Sequence, residues 1–487
     1  MKLKQLIYSK KLAQIIGVFM LTCFLAYGVV GQVSARKIMP TTAGSQQVGT
    51  WQYAGLVRSK ANLSQTKVLQ GSDGQVYVQI GIEALDDVSH IKSKMRTPTD
   101  FVVVLDRSGS MESSGKIDYA RQAIVSLLKQ LDASDRFALV TFDSIVETPI
   151  GMTTVTSENL TTLITKVQSI STRGSTDLGS GLEQGIHVLK NAVGKKNQAK
   201  RIILVSDGQA NVGITDTVSL SQIAAKAVPG EFVVSSIGVG LDFNETLLAS
   251  LADYGTGSYY FLENPSKMET VIAKEFYGAS DVFAKNLKIQ FNLASGIQVV
   301  DVSGYPVVNQ GMSKIVKPGH LYRKQTKTIF ATLKVPTNNL YSEALGNVIL
   351  SYEIEGKMHA VKLIDNDVTI ACLPIEKKKD VIASIDKDTF GEAWASNNYG
   401  QFMKDSASYI REGKYEEAKG NIKKFKEKLS GAYAAAPSKA IADQMQELDE
   451  FEGDMETELK AGSMSGADQK RLSKQLHYEG GMKQRKK

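Results

Sequence analysis

Uninterrupted apolar runs alternate with amphipathic segments between residues 101 and 280. Residues 101–105 are all apolar, which is typical of a strand covered on both faces of its sheet. Residues 116–131 carry apolar side chains at helical spacing and predict an amphipathic helix. The same patterns predict strands at 136–142, 201–206, 232–238 and 258–262, and helices near 157–170, 177–193, 219–228, 244–254 and 266–277. This alternation predicts a doubly wound, mostly parallel sheet with helices on both faces.

The segments on either side of this region alternate apolar and polar residues with a period of two. Before it, residues 75–82 predict a half-buried antiparallel strand. After it, strands are predicted at 287–293, 297–302, 328–335, 347–354 and 359–364. Because the strands of residues 36–98 are too few to fold alone, we expect them to join those of residues 281–375. The α/β unit of residues 99–280 would then be inserted between two halves of one β-sandwich.

The last part of the chain, residues 376–487, has the spacing of helices. Helices are predicted at 405–411, 415–429 and 438–459, with a break at Gly413. Residues 409–418 resemble one helix-turn-helix repeat of the tetratricopeptide kind, although such repeats need several stacked copies to be stable. The basic tail at residues 481–487 is predicted to be disordered. We expect this helical region to add a second interaction surface.

The N-terminus has the three parts of a secretory signal peptide. Four lysines precede an apolar run at residues 15–30, and the small residues Val33, Ser34 and Ala35 follow it. We expect cleavage after Ala35, because a run of about 16 residues is short of the roughly 20 that a membrane span needs. An uncleaved membrane anchor remains the alternative. Export would place the protein in the periplasm, at the cell surface or in the medium.

Composition narrows the class of protein further. The chain has 487 residues, 42% of them hydrophobic and 22% charged, which excludes a polytopic membrane protein, a collagen and a wholly disordered chain. The formal net charge is +7, and removal of residues 1–35 with their four lysines leaves +3, which is too little to predict nucleic-acid binding. The two cysteines, Cys23 and Cys372, exclude a disulfide framework. An exported chain so poor in cysteine is typical of a bacterial envelope protein.

Three loops rich in oxygen-bearing side chains follow the predicted strands or their connections. The first contains Asp106, Ser108 and Ser110, directly after the strand at 101–105. The second contains Thr176, and the third contains Asp207, directly after the strand at 201–206. Because loops at the carboxyl ends of parallel strands meet at one edge of a sheet, we expect these five side chains to surround one point.

On these three loops the sequence resembles the von Willebrand factor A family over about residues 99–280. That family has an adhesion site made of an Asp-x-Ser-x-Ser loop, a Thr and a second Asp, and all five positions match here. The resemblance implies that Ser108 and Ser110 bind a metal ion directly, and that Thr176, Asp106 and Asp207 bind it directly or through water. It also implies that a Glu or Asp of a partner protein completes the metal's coordination. The β-rich flanks look like those of bacterial exported A-domain proteins, which are compared with inter-alpha-trypsin inhibitor heavy chains and so-called calcium-activated chloride channel homologues.

The chemistry of these ligands favours magnesium. Mg²⁺ takes hard oxygen ligands at about 2.0–2.1 Å and retains water, while Mn²⁺ fits the same set and Ca²⁺ prefers more ligands. The alternative for each loop is structural, since Ser, Thr and Asp after a strand also cap helices and form turns. Asp143 and Asp177 are expected to be solvated carboxylates, or else residues that support the site.

The favoured function is therefore a metal-dependent protein-binding module of the cell envelope. Its partner would present an acidic side chain, and no nucleic acid is expected; a membrane contact would come only from an uncleaved N-terminal segment. One alternative is a structural or assembly scaffold whose metal only stabilises the loops. A remoter alternative is a metal-assisted hydrolase. An enzyme is not expected, because the five histidines are scattered and the sequence has neither a Gly-x-Ser-x-Gly elbow nor a phosphate-binding P-loop.

Overall fold

The computed structural model describes residues 48–85, 97–192, 198–460 and 464–485 of the chain. The predicted signal segment at residues 1–35, with Cys23, lies outside the described residues. None of the helices in the described ranges is both long and apolar enough to cross a membrane.

Strands occupy three consecutive parts of the described chain. The first part holds β1 (Gln52–Ala54), β2 (Val57–Leu63), β3 (Lys67–Leu69) and β4 (Gln75–Ala84). The second holds β5 (Thr99–Asp106), β6 (Arg136–Phe142), β7 (Val146–Thr154), β8 (Ala199–Ser206), β9 (Phe232–Val239) and β10 (Thr256–Leu262). The third holds β11 (Val282–Leu293), β12 (Gln298–Val302), β13 (Val307–Gln310), β14 (Ser313–Tyr322), β15 (Thr326–Lys334), β16 (Tyr341–Ala344), β17 (Gly346–Ile354), β18 (Lys357–Ile364) and β19 (Thr369–Leu373).

Helices accompany the second group of strands and then fill the end of the chain. Those between or after the strands β5 to β10 are α1 (Lys116–Gln130), α2 (Leu160–Gln168), α3 (Leu178–Asn191), α4 (Thr217–Ala225), α5 (Glu245–Tyr254) and α6 (Met268–Ser280). Those at the end are α7 (Lys378–Ala383), α8 (Lys387–Arg411), α9 (Tyr415–Ala435), α10 (Lys439–Lys460) and α11 (Gly466–Arg485).

The second group of strands forms one sheet in the order β10-β9-β8-β5-β6-β7. Neighbouring strands are parallel except β6 and β7. One apolar core contains Val103 with Ile124 of α1, and the core on the opposite face contains Val104 with Leu182 of α3. The predicted doubly wound sheet is therefore confirmed. Strand β7 was not predicted, because this edge strand is only partly buried and carries Pro149, a residue that central strands exclude.

Two antiparallel sheets share a third apolar core and combine strands from both sides of the inserted region. One sheet has the order β1-β2-β4-β15-β12, and the other has the order β13-β14-β11-β17-β18. Strand β4 pairs with β15 from Gln75↔Lys334 to Thr326↔Glu83, so the N-terminal strands do join the later ones. The predicted fold class is confirmed. Strand β14 was missed because Pro318 and Gly319 interrupt its alternation.

The C-terminal helices pack around a fourth core that includes Tyr77 and Phe330 of the sandwich. Gly413, with a φ of +70°, separates α8 from α9 at the predicted break. The prediction of a disordered tail is wrong for residues 481–485, because α11 continues to Arg485. There α11 lies so close to α8 that a Cβ on Gly480 would be 2.6 Å from the carbonyl oxygen of Gly400.

Helices α8 and α11 hold the inserted region through one buried carboxylate. Glu245, at the start of α5, accepts a hydrogen bond from Arg411 Nη1 at 2.7 Å and one from Lys474 Nζ at 2.8 Å. Lys474 also donates to the carbonyl oxygen of Phe243 at 2.5 Å. Burial raises the pKa of Glu245, but the two cations outweigh it and the pKa lies below its ordinary value. The loop before α5 is thereby fixed to the C-terminal helices.

The close approach of α8 and α11 predicts that Gly480→Ala destabilises the protein. The added methyl group clashes with backbone atoms, which cannot change rotamer to make room as a side chain can. We therefore expect a loss of about 1–3 kcal/mol in the free energy of unfolding. Gly431→Ala in α9 is the matched control, since a Cβ there meets nothing within 4 Å, and it should stabilise by about 0.5–1 kcal/mol. Urea unfolding followed by circular dichroism measures both. Equal effects of the two variants would contradict the packing.

Candidate metal-ion-dependent adhesion site

The carboxyl ends of β5 and β8 bring two aspartates to one edge of the central sheet. The strands are parallel neighbours, with Leu105 opposite Val205. Asp106 is the last residue of β5, and Asp207 follows Ser206, the last residue of β8. Both carboxylates are fully buried. The pairing of the strands therefore determines which acidic residues meet.

The loop after β5 adds two hydroxyl groups to these carboxylates. The backbone N–H of Ser108 donates to Asp106 Oδ1 at 2.8 Å, and the hydroxyl oxygens of Ser108 and Ser110 lie 3.1 Å apart. Ser110 Oγ donates to Asp207 Oδ1 at 2.7 Å. Ser108 is buried while Ser110 is exposed, so this series of contacts extends from the end of the sheet to the surface.

The second loop brings Thr176 to the same place. Its backbone N–H donates to Asn211 Oδ1 at 2.8 Å, and its carbonyl oxygen accepts from the N–H of Asn211 at 3.1 Å. A Cβ on Gly208 would lie 3.4 Å from Thr176 Oγ1, 3.7 Å from Ser110 Oγ and 3.9 Å from Asp106 Oδ2. Oxygens from the first two loops thus lie beside Gly208 of the third loop, and Ser110 joins them to Asp207. Such a set of hard oxygens fits a small divalent cation.

Burial acts strongly on the charge of Asp106. Burial raises the pKa of Asp106 to about 6, and the charge of Asp207 adds to this, while hydrogen bonds from Ser108 and Ser206 partly offset it. Ser206 Oγ donates to Asp106 Oδ2 at 2.6 Å. A cation beside Asp106 would therefore favour the charged form of its carboxyl group.

A buried lysine, Lys116, contacts the same group of residues and was not singled out from the sequence. Its ammonium donates to Asp207 Oδ2 and, at 3.3 Å, to the carbonyl oxygen of Ser110. A signal for it was present, because Lys116 precedes Ala120 and Ile124 at helical spacing on the buried face of α1. A lysine at a position where the pattern calls for an apolar residue needs a buried partner.

Asp143 supports the loops of the site through buried hydrogen bonds and is not the solvated carboxylate that was expected. It is buried, and its Oδ2 accepts hydrogen bonds from Arg107 Nε and Arg173 Nε, each at 2.8 Å. Burial raises the pKa of Asp143, but the hydrogen bonds from Arg173, the Ile145 backbone and Arg107 outweigh it, so the pKa lies below its ordinary value. The backbone N–H of Arg173 also donates to the carbonyl oxygen of Arg107 at 2.8 Å, which ties the first two loops together.

Asp177 has a structural role beside the site. Its Oδ1 accepts a hydrogen bond from the backbone N–H of Ser180 at 3.1 Å and so caps the N-terminus of α3. This contact fixes the residue that directly follows Thr176.

Comparison with known proteins identifies the class of this region. The family model of the von Willebrand factor type A domain matches residues 100–274, so the chain contains a domain of this family. The family is one of metal-dependent adhesion and protein-interaction modules.

Two curated proteins illustrate the similarity in sequence. The uncharacterized protein YfbK of Escherichia coli is 29% identical over 207 residues, which are 42% of this chain and 35% of that protein. Inter-alpha-trypsin inhibitor heavy chain H1 of Sus scrofa is 33% identical over 146 residues, which are 29% of this chain and 16% of that protein. The chain thus spans much less than two thirds of the length of either relative.

Solved structures resemble the fold over most of the chain. A von Willebrand factor type A protein from Catenulispora acidiphila has a TM-score of 0.61 at 15% identity, covering 82% of this chain and 91% of that one. The ArnB paralog VWA2 from Sulfolobus acidocaldarius has a TM-score of 0.56 at 20% identity, covering 87% and 98%. At these identities the likeness concerns the fold alone.

The buried contacts of Asp143 predict that Asp143→Asn destabilises the protein. The change leaves two guanidinium groups facing a neutral amide, so we expect a loss of about 3 kcal/mol in the free energy of unfolding. Asp118→Asn removes an exposed partner of Arg121 and should cost less than about 1 kcal/mol. Urea unfolding of both variants compares them. Similar small losses would show that Asp143 does not hold the loops.

Proposed function

We propose that the chain is a divalent-metal-dependent protein-binding module of the cell envelope. In this proposal Ser108 and Ser110 bind the ion directly, and Thr176, Asp106 and Asp207 bind it directly or through water. The observation that carries the proposal is the convergence of these five side chains from three loops beside Gly208. Mg²⁺ is the preferred ion, and Mn²⁺ or Ca²⁺ are alternatives.

The chemistry of the site explains why a partner would present a carboxylate. When bound, the metal ion supplies a Lewis-acidic centre that attracts an anionic oxygen. Two of the residues that would hold this centre, Asp106 and Asp207, are fully buried, whereas Ser110 is exposed to solvent. A partner could therefore approach from the side of Ser110. A partner's Glu or Asp at that position would be desolvated and paired, as in energetically dominant interface contacts.

Two exposed isoleucines adjoin the Thr176 loop and would contact residues beside the partner's carboxylate. Ile145, 59% exposed, lies in a turn where Ser144 Oγ accepts a hydrogen bond from the Ser175 backbone N–H at 3.0 Å. Ile214, 43% exposed, packs close to Gly179 at the start of α3. Apolar residues held beside a metal site favour a partner segment in which the acidic residue is flanked by apolar ones.

We propose further that the protein is exported. We propose residues 1–35 as a signal peptide or retained anchor, 36–98 and 281–375 as the sandwich, 99–280 as the binding domain and 376–487 as the helical region. The sandwich frames the binding domain, and the helices add a second interaction surface. The hydrolase alternative gains no support, because Ser108 and Ser110 contact each other and Asp207, whereas His187 contacts Asn191 on α3.

Calorimetric titration of the protein with Mg²⁺ and Mn²⁺ tests the metal site. We expect saturable binding near one equivalent, weakened about tenfold or more by Asp207→Asn because a charged ligand is lost. Asp177→Asn removes the same charge from the residue after Thr176 and keeps the helix cap, so it should bind normally. Absence of binding in the unaltered protein, with and without added acetate, would contradict the proposal.

A peptide assay tests the partner chemistry and separates an adhesion site from a scaffold. A peptide with a central Glu flanked by leucines should bind in Mg²⁺ and be released by EDTA, whereas its Gln counterpart should not bind. The double variant Ile145→Ser, Ile214→Ser should weaken binding of this peptide about tenfold, because it loses about 1.4 kcal/mol of apolar contact. Its binding of Mg²⁺ should be unchanged. Peptide binding that survives EDTA would favour the scaffold.

A further inference from the structure

The ammonium group of Lys116 occupies a fixed position inside the proposed metal site. Lys116 is buried, and its ammonium donates to Asp207 Oδ2 and to the carbonyl oxygen of Ser110. The other oxygen of Asp207 accepts from Ser110 Oγ at 2.7 Å. A Cβ on Gly240 would lie 3.1 Å from Lys116 Cε, so the loop after β9 closes over the lysine stem. The side chain therefore has little freedom to move away from Asp207.

The formal charges of the buried groups around the site do not balance a divalent ion. Asp106 and Asp207 contribute two negative charges, and Lys116 contributes one positive charge. Arg107, the other buried cation nearby, contacts Asp143 and Glu147 and is neutralised there. The site alone thus carries one net negative charge. A divalent ion would leave it with one net positive charge, and a single carboxylate from outside would neutralise it.

We propose that Lys116 is a built-in counter-ion that keeps metal affinity low until a partner carboxylate binds. This inference rests on the proposed metal-dependent function and concerns its regulation. Like charges repel strongly in a buried, poorly screened place, so the ammonium opposes the metal ion next to it. The metal and the partner carboxylate then bind cooperatively, and each raises the affinity of the other by the same factor.

Lys116 has the opposite effect when no metal is bound. Asp207 is then fully buried close to Asp106, and the ammonium is the cation that neutralises it. Its removal would leave two buried carboxylates without a neighbouring cation, which destabilises the fold. The proposal therefore requires that loss of the lysine charge weakens the metal-free protein and strengthens its binding of metal.

Calorimetric titration with Mg²⁺ and Mn²⁺, with and without saturating acetate, tests the counter-ion. Lys116→Met removes the charge and keeps the length of the side chain. In the absence of acetate, we expect this variant to bind Mg²⁺ at least about tenfold more tightly than the unaltered protein does. Acetate should raise the Mg²⁺ affinity of the variant by a smaller factor than it raises that of the unaltered protein. Lys129→Met, an exposed change on the same helix α1, should match the unaltered protein in both titrations.

Thermal unfolding in EDTA and in Mg²⁺ supplies the second readout. The midpoint of Lys116→Met should fall in EDTA and recover in Mg²⁺ by more than that of the unaltered protein. If this variant does not fold, Lys116→Gln keeps a hydrogen-bond donor without the charge and is expected to show the same two changes.

The outcomes distinguish this inference from the proposed function. Equal Mg²⁺ affinity in the variant and the unaltered protein, with a lower midpoint in EDTA, would overturn the inference and leave Lys116 a purely structural residue. In that case the metal-dependent function would stand. Failure of every variant and of the unaltered protein to bind Mg²⁺ or Mn²⁺, with or without acetate, would instead overturn the proposed function itself.

Discussion

The parallel pairing of β5 with β8 is the constraint on which the site depends. Its register sets Leu105 opposite Val205, so both strands end at the same level and their next residues meet. Asp106 then accepts from Ser206, and Asp207 follows directly. A shift of one residue in this register would turn one carboxylate toward the other face of the sheet. The buried apolar cores on both faces fix the register, and through it the positions of the acidic groups.

The parts of the structure that sequence predicted are those that depend on local pattern and simple topology. The positions of Asp106 and Asp207 follow from apolar runs and from the rule that parallel strands end at one edge. The place of Lys116 in the site was not predicted, because the partner of a charged residue on an apolar helix face is visible only in the folded structure. The end of α11 was also missed, since Gly480 has meaning only where a second helix lies against it. Contacts distant in sequence account for these failures.

Two buried carboxylates of the inserted region, Asp143 and Glu245, are each paired with two cations. Asp143 with its arginines joins the first two loops, and Glu245 with Arg411 and Lys474 joins the inserted region to the C-terminal helices. Each group is costly to bury alone, so each stabilises the fold only in company with its partners. These contacts join the first two loops to each other and the loop before α5 to the C-terminal helices.

The insertion of the von Willebrand factor type A domain between β4 and β11 has a mechanical consequence. These two strands lie at the centres of the two different sheets of the sandwich, each with a hydrogen-bonded neighbour on both sides. The part of a tensile force on this domain that is carried along the chain, and not through Glu245 to the C-terminal helices, would pass to both strands and divide between the two sheets. Because β4 and β11 are long, with 10 and 12 residues, a pull along them would load many ladder hydrogen bonds together in shear. A protein built in this way would resist detachment of the inserted domain from its own framework under tension.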